Sequence, residues 1–148
     1  MTSLTTSGAA NTTHIVYGTD RWTSNQNSWT DLPGAKITLN IGHNAPSYGA
    51  IFVATFSAEA LASDPSNNGA IFATVFFGGQ QAEPSSDNHR YTSANGGVEW
   101  SSHTFVRVIR FEADFAVKDV TAQVKIAATK DTRAGIQNWV LKVERFNL

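Results

Sequence analysis

Apolar and polar residues alternate strictly over residues 35–41, with Ile37, Leu39 and Ile41 in one phase and Lys36, Thr38 and Asn40 in the other. Side chains of an extended chain point to opposite faces in turn, so this is the pattern of a strand with one face buried. Pro33-Gly34 before it, and Gly42, Pro46 and Gly49 after it, supply turn residues. Residues 50–56 and 70–77 are rich in Ile, Val and Phe in both phases. Such runs predict strands covered on both faces, within a sheet or at a subunit contact. Between them, the Ser, Ala, Glu and Leu of residues 57–62 favour a short helical turn, and residues 63–69 read as a loop. Gly78-Gly79 predicts a hairpin that returns the chain through residues 80–83 until Pro84 stops it.

Residues 84–97 collect Pro, Ser, Asp, Asn and Gly and form the longest predicted connection. Loops of that length in a compact domain usually carry function or mobility. Three further strands follow. Residues 100–111 set His103, Phe105 and Arg107 against Thr104, Val106 and Val108; Val120, Ala122, Val124, Ile126 and Ala128 make an apolar face; and so do Trp139, Leu141 and Val143. Ahead of all these, a stretch dominated by Thr, Ser and Asn surrounds the island His14-Ile15-Val16-Tyr17. Its composition predicts a loose arm over residues 1–12 and an edge strand near residues 15–19. The chain thus divides into an N-terminal arm, residues 1–28, and one sandwich domain, residues 29–148. Seven or eight short strands separated by turn signals indicate an all-β antiparallel sandwich or barrel in place of a βαβ fold.

Composition narrows the function. A chain of 148 residues makes one domain. Its charged fraction of 16% lies well below the usual ~25%. With a net charge of −1 and its Lys and Arg scattered singly, the chain has no basic field for a phosphate backbone, so no nucleic-acid partner is expected. Low net charge also removes the repulsion that keeps identical chains apart, which favours a homo-oligomer. The absence of cysteine excludes disulfides, thiolate metal sites and a cysteine nucleophile. No stretch approaches the ~20 apolar residues of a membrane helix, so no membrane insertion is expected. Residues 1–10 have neither a basic start nor an apolar run and do not read as a signal peptide.

Two segments carry a family likeness. One is Trp29-Thr30-Asp31-Leu32-Pro33-Gly34-Ala35, leading through an alternating strand to Ala54-Thr55-Phe56-Ser57-Ala58-Glu59. The other is Glu99-Trp100-Ser101-Ser102-His103, followed by Asn138-Trp139-Val140-Leu141-Lys142-Val143-Glu144-Arg145. In order and spacing across residues 29–145 they resemble a group of poorly characterised bacterial and phage-borne β-sandwich domains, similar in outline to the C1q and tumour-necrosis-factor jelly rolls. The resemblance implies a jelly roll, a trimer, loops that bind proteins or glycans, and an extracellular or virion-associated setting. It supplies no catalytic residue. Gly78-Gly79 replaces the group's usual Asp-Gly hairpin, and the cysteines of some members are absent.

Candidate chemistry is sparse. His14, His43, His89 and His103 are far apart and form no His-x-His pair, so no metal and no cofactor is expected. The nucleophile elbow and phosphate-cradling glycine loops are missing. Glu59 with Glu83, or Glu99 with Glu112, would have to serve as a glycosidase acid pair, the only enzymatic reading left. The in-phase position of Trp139 makes it a core residue. Trp29 and Trp100, at strand starts, either plug an end of the sandwich or touch a partner. Trp22, in the polar arm, is expected to be exposed or buried at an interface. His89, Arg90 and Tyr91 in the long loop combine hydrogen-bonding groups with an aromatic ring, a mixture suited to sugar or protein recognition. The expected binding residues are therefore Trp22, His89, Arg90, Tyr91 and Trp100. They serve a non-catalytic, oligomeric recognition or assembly module, with a lectin built on residues 84–97 as the alternative.

Overall fold

The computed structural model describes residues 8–40, 49–86, 89–94, 99–112 and 119–148. Ten strands lie in them: β1 (Thr12–Gly18), β2 (Trp22–Ser24), β3 (Thr30–Asn40), β4 (Ala50–Ser63), β5 (Ala70–Phe77), β6 (Gln80–Gln81), β7 (Arg90–Ser93), β8 (Ser101–Phe111), β9 (Asp119–Ala128) and β10 (Arg133–Asn147). No described residue is helical. Sheet I has the order β1-β10-β4-β8, with β2 also on β10; sheet II has the order β3-β9-β5-β6, with β7 also on β5. All pairs are antiparallel. From β2 to β5 and again from β7 to β10 the chain crosses to the other sheet at every step, which is the jelly-roll winding of a two-layer sandwich.

Alternation sets the inner faces. In β4 the inward residues are Ala50, Phe52, Ala54, Phe56, Ala58, Ala60 and Ala62, all buried. Their partners from sheet II are Ile71, Ala73, Val75 and Phe77 of β5 and Val120, Ala122, Val124 and Ile126 of β9. Two phenylalanines among five alanines let the layers close while the rings fill the space between them. Phe56 is 5.5 Å from Phe105, 5.8 Å from Tyr91 and 6.5 Å from Trp139, centroid to centroid. That cluster joins four strands at one end of the core.

Three expectations are corrected. Residues 57–62 are not a helical turn but the second half of β4, paired with β10 on one side and β8 on the other. Two ladders outweigh the fraction of a kcal/mol per residue by which Ala, Leu and Glu favour helix. Pro33-Gly34 is not a turn before a strand; it sits inside β3, where the register to β9 shifts between Asp31 and Lys36 and Gly34 has φ 80°. Gln123 Nε2 spans this bulge, donating to the carbonyls of Leu32 at 3.0 Å and Ala35 at 3.3 Å. The long loop is interrupted by β7, which pairs with β5. The Gly78-Gly79 hairpin forms as read, both glycines having positive φ as a two-residue I′ turn requires.

One edge of sheet I is bridged. After β6, Glu83 exchanges two backbone hydrogen bonds with Val108 of β8, at 2.7 and 2.8 Å, so the chain leaving sheet II caps the free side of β8. The opposite edge belongs to β1 and β2.

Candidate functional site

β1 stops at Gly18 and β2 resumes at Trp22, both on the same side of β10. Facing the gap, β10 has its own irregularity between Gln137 and Val140, where Asn138 has φ 49°. The bulge leaves a trace in the sequence: inward positions run Ala134, Ile136, then Trp139, Leu141, Val143, a change of parity. A left-handed residue there costs asparagine less than most others, and the inserted residue re-aims its neighbours. The Trp139 indole comes to lie against Gly18, where an added Cβ would stand 2.8 Å from three adjoining indole atoms. Only glycine lets the edge strand end so close to the ring.

The gap opens into a cleft of about 230 Å³. Trp22, Leu32, Pro33 and Trp139 form its apolar walls, and Thr19, Asp20 and Arg21 its polar rim. Trp22 also packs against the core. Asp20 is exposed, and its carboxylate has no partner among the described residues. The Arg21 guanidinium is engaged elsewhere. Its Cζ lies 4.8 Å from the centre of the Trp100 ring, and Nε donates to Gln137 Oε1 at 3.1 Å.

Gln137 in turn donates to Glu59 Oε2 at 2.8 Å, and Asn138 donates to the same oxygen at 3.1 Å. Trp100 rests on Gly135, where a Cβ would meet the ring at 2.8 Å. Ala134 and Ile136 point inward, so Gly135 and Trp100 mark the outer face of sheet I. Sequence reading missed Arg21, Gln137 and Asn138 and considered Glu59 only as half of an acid pair; the four are scattered along the chain and meet through the β4-β10 register and the β1-β2 break.

The outer faces of the two sheets differ. On sheet I, Ile15, Tyr17, Val106 and Val140 are 58, 75, 50 and 41% exposed. Tyr17 stands opposite Val140, and Ile15 opposite Lys142. Lys142 Nζ lies 3.6 Å from Glu144 Oε1 in the same strand. On sheet II the outward row is polar on β3 and β9, with Lys36, Thr38, Thr121, Gln123 and Lys125, the last paired to Asp31 at 2.7 Å. In the same sheet β5 turns Phe72, Thr74 and Phe76 outward, the two rings half-buried beside Arg90, Trp29 and Lys125.

Of the expected binding residues, Trp22 and Trp100 fall on the two sides of Arg21. His89, Arg90 and Tyr91 fall on sheet II. Tyr91 points inward, 7% exposed, and its hydroxyl donates to the His103 carbonyl at 2.5 Å. The apolar site among Phe56, Phe105 and His103 draws the ring inward, and burial pushes the phenol above its ordinary range. Arg90 lies outward with Cζ 6.0 Å from the Phe72 ring centre, and His89 Nε2 donates to the Pro84 carbonyl. Trp29 meets Phe76 edge-on at 6.1 Å.

The imagined acid pairs are too far apart. Glu59 is level with Ser102 of β8 and Glu83 with Val108, a separation of about 20 Å at ~3.3 Å per residue, and Glu99 and Glu112 flank the two ends of β8. Glycosidase carboxylates stand roughly 5–10 Å apart. Among the described residues no three His, Cys, Asp or Glu side chains converge as metal ligands; His43 lies outside those residues.

No protein-family model and no curated protein matches the chain. Among solved structures it is similar to the VP2 subviral particle of infectious bursal disease virus, with 11% identity and a TM-score of 0.50 over 96% of this chain and 34% of that one. It is also similar to the CBM36-1 domain of a multidomain xylanase from the hindgut metagenome of Trinervitermes trinervoides, with 13% identity and a TM-score of 0.40 over 89% of this chain and 96% of that one. A family 35 carbohydrate-binding module from Clostridium thermocellum gives 12% identity and a TM-score of 0.38 over 88% and 97%. The chain spans about a third of the length of the VP2 chain. At such identities the likeness is one of fold.

Proposed function

We propose that this protein is a non-catalytic jelly-roll module that associates with copies of itself through the outer face of sheet I. The observation that carries the reading is where large apolar side chains stand exposed: Ile15, Tyr17, Val106 and Val140 do so on sheet I, whereas the outward rings of sheet II, Phe72 and Phe76, are half-buried beside Arg90, Trp29 and Lys125. A face four strands wide and as long as β8 covers roughly 700 Å², from ~4.8 Å between strands and ~3.3 Å per residue, close to the ~800 Å² per partner of a standard interface. Lys142 beside Glu144 makes the middle of the face self-complementary under a two-fold axis, each lysine meeting the partner's glutamate. A pair of subunits is therefore what the face favours; the trimer implied by the C1q- and tumour-necrosis-factor-like outline would need a second, different surface to meet this patch.

A non-catalytic role is supported by the wide separation of the acid pairs and by Glu59, whose Oε2 is occupied by two amides. A surface poor in charge and rich in Thr, Ser and Asn suits an extracellular or virion-associated setting. Light scattering coupled to size exclusion tests the association. The wild-type chain gives a multiple of 16.0 kDa at micromolar concentration, and Tyr17→Lys with Val140→Lys gives the monomer at unchanged melting temperature. A wild-type monomer, or an oligomer indifferent to both substitutions, would refute the reading.

A further inference from the structure

The cleft at the β1-β2 break lies at the edge of sheet I, one register position along from the exposed pair Tyr17 and Val140. Its two indoles come from Trp22 and Trp139, and its rim presents the unpartnered Asp20 carboxylate beside the Thr19 hydroxyl. We infer that this cleft is a binding site for one neutral, hydroxylated ring, the terminal sugar of a glycan.

Each component points to that chemistry. A volume of about 230 Å³ is below the ~300–1,000 Å³ of sites that take drug-sized ligands, so the cleft holds a single ring. A sugar ring is apolar on its C–H faces and polar at its edge. Trp22 and Pro33 offer apolar faces, the buried Leu32 and Trp139 form the floor beneath them, and Asp20 accepts from hydroxyls at the edge. An anion is disfavoured: the one cation at the rim, Arg21, has its guanidinium held on Trp100 and Gln137, while Asp20 is left without a countercharge. The rim also offers the Thr19 hydroxyl, which can donate to a ring hydroxyl and has no such role toward a cation.

The site is held in shape before any ligand arrives. Gly18 and the bulge at Asn138 fix the Trp139 ring, and the Arg21 hydrogen bond to Gln137 fixes the connection that carries Asp20. Preorganisation of this kind lowers the ordering cost of binding.

Saturation-transfer NMR and tryptophan fluorescence on the full chain test this, with methyl glycosides of glucose, galactose, mannose, xylose and N-acetylglucosamine as neutral probes, sialic acid as the anionic probe and tetramethylammonium as the cationic one. At least one neutral glycoside is expected to bind saturably and shift indole emission. Asp20→Ala, at an exposed position, weakens it by about tenfold, the loss of one charged acceptor; Arg90→Ala on sheet II leaves it unchanged. Val106→Lys, on β8 at the far margin of sheet I, retains the binding. Silence from every neutral glycoside, binding only of tetramethylammonium or sialic acid, or sugar binding indifferent to Asp20→Ala would overturn the inference.

Discussion

Replacing Phe56 by alanine removes the ring on which the packing at one end of the core converges. Phe56 is fully buried, lies on the inner face of β4, and has aromatic neighbours on β7, β8 and β10 within 6.5 Å. Deleting a buried phenylalanine costs about 3–5 kcal/mol from lost burial and the void left behind. Phe56 belongs at the upper end, because three surrounding rings from three strands cannot all move inward to fill the space. For a chain of this size each kcal/mol lowers the melting temperature by about 2–4 °C, so Phe56→Ala is expected to melt roughly 10–15 °C below the parent. Circular dichroism at 218 nm follows the unfolding, and the near-ultraviolet band of Trp139, stacked on Phe56, loses intensity in the folded variant. Phe56→Leu, leaving a smaller void, falls between the two. A loss of less than about 1 kcal/mol, the size of an ordinary substitution, would refute a sandwich in which β4 sits centrally with this phase inward.

Two further outcomes follow from buried polar groups. Thr74 is fully buried and its hydroxyl has no hydrogen-bond partner, so Thr74→Val removes an unsatisfied group at constant shape; a gain of about 1 kcal/mol in urea unfolding is expected. The Tyr91 phenol is raised by burial above its ordinary value near 10, so the unfolded chain loses its proton first. The stability tied to that proton is complete below pH ~10 and declines as pH rises beyond it; Tyr91→Phe costs about 1 kcal/mol at neutral pH and flattens the alkaline decline in melting temperature.

The strands that alternate cleanly were readable from the chain alone. β9, the Trp139-Leu141-Val143 face of β10 and the hairpin at Gly78-Gly79 stand where the pattern of apolar residues puts them, because one buried face and a two-residue turn each leave a local signature. Residues 57–62 misled because alanine serves a helix and a tightly closed sandwich equally well; the ladders on both sides of β4 decide between them, and they come from residues far along the chain. Tyr91 misled because its neighbours are turn formers, while the place that receives its ring is built by Phe56, Phe105 and His103. The candidate site was half legible: Trp22 stood out in the polar arm and Trp100 at the start of a strand. Arg21, Glu59 and Gln137 are ordinary surface residues until the β10 register brings them together. The parity change between Ile136 and Trp139 was the one local hint.

The hydrogen bonds between Glu83 and Val108 have a consequence for growth beyond the single molecule. A sheet extends into a fibril only if both of its margins can accept another strand, and on sheet I the Glu83 bridge occupies the outer margin of β8 at Val108. A strand from a second molecule must displace that bridge to pair along the whole of β8, which hinders lateral growth at this margin relative to the one formed by β1 and β2.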